Sequence, residues 1–129
     1  MRPLIAISAF AIALAACTTT GSQPMNTVAD GTSIQLAPGQ FATLADDSRL
    51  DYVKLDSDSR CPPGVQCVWA GDAVIVMRWT PANAMTAQDF VLHTTLDPKS
   101  FDAGDRTITL TALERDDAPK ATLQVEAAH

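Results

Sequence analysis

The chain has 129 residues, of which 47% are hydrophobic, 5% aromatic and 19% charged, with a formal net charge of −6. That length allows one domain, and the apolar fraction excludes a disordered chain. The acidic balance argues against a nucleic-acid binder, which needs a basic surface facing phosphates, and three cysteines, an odd number, ask for an explanation.

The N-terminus reads MRPLIAISAFAIALAAC. Arg2 supplies a positive charge, and Leu4 to Ala16 form an uncharged apolar run of 13 residues. A membrane-spanning helix needs about 20 residues, so this run is too short to remain in a bilayer and has the length expected of an export signal. Leu14-Ala15-Ala16-Cys17 resembles a bacterial lipobox. The resemblance implies cleavage before Cys17, diacylglyceryl transfer to its thiol and acylation of the new amino terminus. The other reading is an ordinary signal peptide with a coincidental cysteine. Two or more acyl chains attach a protein stably, where one gives only marginal binding. Thr18 occupies the position where an Asp favours inner-membrane retention in enterobacterial lipoproteins. By that analogy the mature chain is expected at the outer membrane, facing the periplasm.

Loss of residues 1–16 leaves 113 residues with eight basic and fifteen acidic side chains, a net charge of −7. Cys17 and the stretch to Thr32, rich in Thr, Gly, Ser, Asn and Pro, read as a lipidated cysteine and a flexible tether. The alternative is that Val28 and its neighbours pack onto the domain as an edge strand. Residues 33–129 read as one β-domain.

Within that domain, short alternating segments are separated by turns. Ile34 and Leu36 alternate with Ser33 and Gln35 before a Pro38-Gly39 turn. Gln40 to Leu44 and Leu50 to Leu55 follow, broken by Asp46-Asp47-Ser48. Cys67 to Trp79 is the longest candidate, with Trp69, Ala73, Ile75, Met77 and Trp79 on one parity and Val68, Val74 and Val76 on the other. Both faces are apolar, which predicts a central strand between covering layers, with a bulge or bend at Gly71. Pro81 to Gln88 has room for one helical turn at most. Phe90 to Thr94 is the next strand. Arg106 to Leu113 points Ile108, Leu110 and Ala112 inward, and Ala121 to Ala127 points Leu123 and Val125 inward. The sum predicts an all-β protein: a small antiparallel sandwich or barrel of about seven strands, with no choice between the two.

The most distinctive segment runs from Asp56 to Gly71. With Cys17 assigned to lipid, Cys61 and Cys67 remain, and in an oxidising compartment they are the natural disulfide. They close a short ring containing Pro62-Pro63-Gly64. Three readings compete: a staple between strands; a redox centre, disfavoured because five residues separate the cysteines where two are usual; and a rigid recognition loop of Arg60, Pro62, Pro63, Gly64, Val65 and Gln66. Preorganisation makes the last physically sensible, as in small protease inhibitors. The string SRCP…CVWAG is similar to a motif of small secreted or lipid-anchored bacterial proteins. That resemblance covers Asp58 to Gly71 and the strand pattern after it. It implies a domain family and carries over no activity.

Chemical constellations are sparse. His93 lies mid-strand and reads as a half-buried structural histidine, while His129 is terminal. No zinc spacing, Ser/His/Asp arrangement or phosphate loop is present. Asp51, Asp56 and Asp58 are too few for a calcium loop and read as a solvated turn with Arg60 close enough to pair. The expectation is a non-enzymatic, cofactor-free, lipid-anchored envelope protein, bound to the membrane through Cys17 and to a protein partner in the envelope. Two alternatives stay open. One is an inhibitor or receptor-like binder that presents the Cys61–Cys67 loop to an enzyme. The other is a small-ligand or metal carrier with a cavity lined by Tyr52, Trp69 and Trp79.

Overall fold

Alternating apolar and polar residues produce strands along nearly all of residues 27–127, the part of the chain that the computed structural model describes. In chain order they are β1 Thr27–Val28, β2 Thr32–Leu36, β3 Phe41–Leu44, β4 Arg49–Asp58, β5 Ala73–Thr80, β6 Gln88–His93, β7 Ser100–Ala103, β8 Arg106–Leu113 and β9 Ala121–Ala127. No helix occurs among the described residues; Pro81–Ala84 forms only a turn, with the Ala84 amide donating to the Pro81 carbonyl. One sheet has the order β1-β3-β4-β5-β6 and the other β2-β9-β8-β7. Every pairing is antiparallel except β1 with β3.

The two sheets enclose a single apolar core as a sandwich-like half-barrel. Leu44, Leu50, Tyr52, Ile75, Met77 and Leu92 come from the first sheet, and Ile108, Leu123 and Val125 from the second; all are fully buried. Burying side chains of this size stabilises by about 1.5–3 kcal/mol each before chain entropy is counted. Where β6 approaches β7, Phe90 stacks on Phe101 with centroids 3.8 Å apart, and Trp79 meets Phe101 edge-on. That stack closes one side of the sandwich.

Three expectations need correction. First, Ser100–Ala103, to which the sequence pattern assigns no strand, forms β7, and Thr27–Val28 forms β1. Val28 is buried against the core, and Asp30 pairs with Arg106 at 2.7 Å, so residues 27–32 belong to the domain and not to a tether. Cys17, the expected signal 1–16 and the remainder of the expected tether lie outside the described residues. Second, β5 begins only at Ala73, and its outer face, Val74 and Val76, is half-buried with no layer over it among the described residues. Third, bulges reset the parity that strict alternation predicts. A register shift between Tyr52 and Lys54 places Tyr52 and Leu55 both on the core side. Another between Leu110 and Ala112 turns Ala112 outward and Leu113 inward.

Candidate functional site

The β4–β5 connection, residues 59–72, stands at one pole of the sandwich. Its base is fastened by several independent contacts. The Ser59 amide and hydroxyl both donate to the Asp72 carbonyl at 2.8 Å, and the Asp72 amide donates back to the Ser59 hydroxyl at 3.0 Å. Gly71 makes this closure possible. Its φ is +69°, and a Cβ there would lie 2.0 Å from the Ser59 carbonyl oxygen, so a side chain is excluded by both backbone conformation and space.

Arg60 locks the base to the opposite sheet. Its side chain is only 8% exposed. Nε and Nη2 donate to the two oxygens of Asp58 at 2.9 and 2.7 Å, Nη1 to the Leu113 carbonyl and Nη2 to the Glu114 carbonyl, both at 2.7 Å. The guanidinium holds the Asp58 carboxyl below the usual carboxylate range. Arg115 answers from the other side: its Nη1 donates to the Cys61 carbonyl. The expected Asp58–Arg60 pairing is present. Arg60 itself, expected among the displayed residues, is instead an internal clamp, because all of its strong contacts point into the protein.

Asp72 anchors the other end. Burial alone would raise its carboxyl. The His93 hydrogen bond, with Nδ1 2.6 Å from Oδ2, and the backbone amides of Thr95 and Leu96 outweigh that and bring it down to about 2. His93 is therefore a structural contact that ties the loop base to the β6–β7 connection.

Beyond this base the chain lifts away. Cys61 and Cys67 are disulfide-bonded, with Cα atoms 5.9 Å apart. Inside the ring the Val65 amide donates to the Pro62 carbonyl at 3.2 Å, across a turn with Pro63 and Gly64 at its centre and Gly64 at φ +80°. Pro followed by Gly at these two positions is the chemistry of a type II turn. Pro62, Pro63, Gly64, Val65 and Gln66 are all exposed, as expected of a displayed loop. The greater exposure lies after Cys67: Val65 is 56% exposed, Trp69 75% and Val68 95%. Leu96, whose amide is held by Asp72, is exposed at the same pole.

Val68 and Trp69 were expected inside a strand. They lie outside it because Gly71 packs on Ser59, which ends the β4–β5 pairing at Asp58 and Ala73. Gly71-Asp72 was the available signal, since a positive-φ glycine breaks a strand as readily as it bulges one. Tyr52, Trp69 and Trp79 do not share a cavity. Tyr52 is fully buried and donates to the Pro119 carbonyl at 3.0 Å; Trp79 packs on the core; Trp69 is at the surface. A shallow cleft of about 400 Å³ lies beside the loop base, lined by Arg60, Ala70, Thr94, Thr95, Leu113 and Arg115 among others. Among the described residues no group of three or more His, Cys, Asp or Glu side chains is placed to hold a metal ion.

Comparison with known proteins finds no matching family model, no similar curated protein and no similar solved structure.

Proposed function

We infer that this chain is a lipid-anchored protein of the bacterial cell envelope, held through acylated Cys17, whose β-domain is a non-enzymatic interaction module working through the 61–71 loop. One observation carries the binding part: a disulfide-tied loop on a fastened base that exposes Val68 and Trp69 to solvent. Large apolar side chains exposed together on a rigid support mark a recognition surface, because their order is established before binding and less entropy is lost on contact. The anchoring part is supported by Leu14-Ala15-Ala16-Cys17 behind a 13-residue apolar run, and Thr18 supports sorting to the outer membrane.

Two measurements test this reading. Intact mass and fatty-acid labelling of the full chain are expected to show acylation that Cys17→Ser abolishes; an unmodified Cys17 overturns the anchoring. The acyl-free domain is expected to leave a panel of envelope-hydrolase substrates untouched, and turnover of any of them overturns the non-enzymatic reading.

A further inference from the structure

We propose that the Cys61–Cys67 bond is a redox-operated latch: a dithiol reductant opens it through Cys67, which frees residues 62–70 while the loop base and the sandwich stay folded. The bond is then a substrate of thiol–disulfide exchange and not the centre of an oxidoreductase. Its opening is independent of what the loop binds and of acylation at Cys17.

The first ground is that the fold and the bond depend little on each other. Six positions separate the cysteines, so even an unfolded chain brings the two sulfurs together readily. The fold adds less to the closing of so short a ring than to that of a long one. By the thermodynamic cycle, what the fold adds to the bond is also what the bond adds to the fold. The base, meanwhile, has its own fastenings. Ser59 and Asp72 exchange three hydrogen bonds, Arg60 is held by Asp58 and the carbonyls of Leu113 and Glu114, and Gly71 packs on Ser59. None of these passes through a sulfur.

The second ground is that the two sulfurs are unlike. Cys67 is exposed, whereas Cys61 is half-buried at the loop base. Arg115 donates from Nη1 to the Cys61 carbonyl, which holds that residue in place and brings a positive charge beside it. The Val65 carbonyl oxygen lies 2.8 Å from Cys61 Sγ. A bonded sulfur has no proton to share with that oxygen, but a thiol there donates to it. Cys61 is therefore the sulfur prepared to leave: a nearby guanidinium favours its thiolate, and a carbonyl receives its proton afterwards. Cys67 is the sulfur open to attack.

The exchange has two steps. A thiolate of the reductant attacks Cys67 Sγ, a mixed disulfide forms, the Cys61–Cys67 bond breaks, and its electron pair stays on Cys61, which takes a proton from water. The reductant's second thiol then displaces Cys67, which is released as a thiol. Two electrons have passed to the protein, and the reductant is left as a disulfide. The turn from Pro62 to Gln66 then keeps only the Val65–Pro62 hydrogen bond, so a surface ordered in advance becomes a mobile one.

The test uses the full-length chain carrying Cys17→Ser, in which only two cysteines exchange and acylation plays no part. After brief exposure to glutathione and acid quenching, peptide mass mapping is expected to find about 10-fold more glutathione on Cys67 than on Cys61. A smaller excess, or a preference for Cys61, overturns the proposal. After full reduction by dithiothreitol, the chain is expected to keep its circular dichroism and a cooperative urea transition, with new proteolytic cuts only within 62–70. Global unfolding, cuts elsewhere or no new cuts overturn it. In glutathione buffers the folded chain is expected to favour the closed bond by less than about 100-fold over the urea-unfolded chain. A larger ratio makes the bond a staple protected by the fold. Acylation is measured on the natural chain and turnover on the acyl-free domain, so the latch and the proposed function can each fail alone.

Discussion

The two poles of the sandwich are each organised by an arginine, yet they end differently. At the pole formed by the β1–β2 and β3–β4 connections, Arg106 reaches Asp30 at 2.7 Å and Asp46 at 3.2 Å, joining both connections to the start of β8. Those connections are short and carry their own charges. At the other pole Arg60 ties β4 to the carbonyls of Leu113 and Glu114, and beyond that clamp residues 62–70 are all exposed and uncharged. The same device closes one pole and supports a projection at the other. The lesson is that base and tip of the 59–72 connection are separate parts: one belongs to the fold, the other is carried by it.

Substitutions should separate the parts, beginning with the base. Arg60→Ala leaves Asp58 and two carbonyls unpaired at a mostly buried position, and should destabilise by about 3 kcal/mol in urea unfolding. A loss under about 0.5 kcal/mol would mean that the clamp is not part of the fold. Gly71→Ala imposes a side chain on a left-handed residue already against Ser59, and should lower stability by about 2 kcal/mol.

The disulfide lies between base and tip. Closing so short a ring is worth about 2–2.5 kcal/mol by chain entropy, less here because Pro62 and Pro63 already stiffen the unfolded chain. Cys61→Ser/Cys67→Ser should therefore leave a folded domain, seen by circular dichroism, while proteolysis within 62–70 accelerates. Global unfolding in that variant would make the bond a staple of the whole domain.

Acid probes the Asp72 post. Its folded carboxyl lies at about 2, below the ordinary aspartate value, so its stabilisation is complete above the unfolded value and is lost as pH falls through the folded one. Because water screens part of it, the loss should be on the order of 1 kcal/mol between about pH 5 and pH 2. Asp72→Asn should flatten that part of the stability–pH curve. The smallest effect is expected at the tip: Trp69→Ser should change unfolding free energy by no more than about 0.5 kcal/mol, because the side chain is mostly in water already.

The all-β class, the position of most strands along the chain and the Cys61–Cys67 pair were legible in the sequence, since alternation with period two and two cysteines six apart, once Cys17 is set aside, leave few options; the order of the strands in the sheets was not. Ile34, Ile108, Leu123 and Val125 could be assigned to the core from local pattern alone. Trp69 could not, because its parity matches that of Ile75 and Met77; only the packing of Gly71 on Ser59 shows that the strand has not yet begun. Ala112 and Leu113 exchange their expected sides for a similar reason, a bulge that becomes visible only when β8 is paired with β9. Arg60 reads in sequence as one more polar loop residue. Its role depends on carbonyls 53 and 54 residues away.

What the sequence determines by itself is local: alternation, turn chemistry, charge and the N-terminal pattern that ends at Cys17, all of which act between residues a few positions apart. What tertiary structure alone decides is which of two apolar residues on the same parity is buried and which is offered to solvent. That choice depends on where two strands stop pairing, and it is made here by a backbone contact between Gly71 and Ser59.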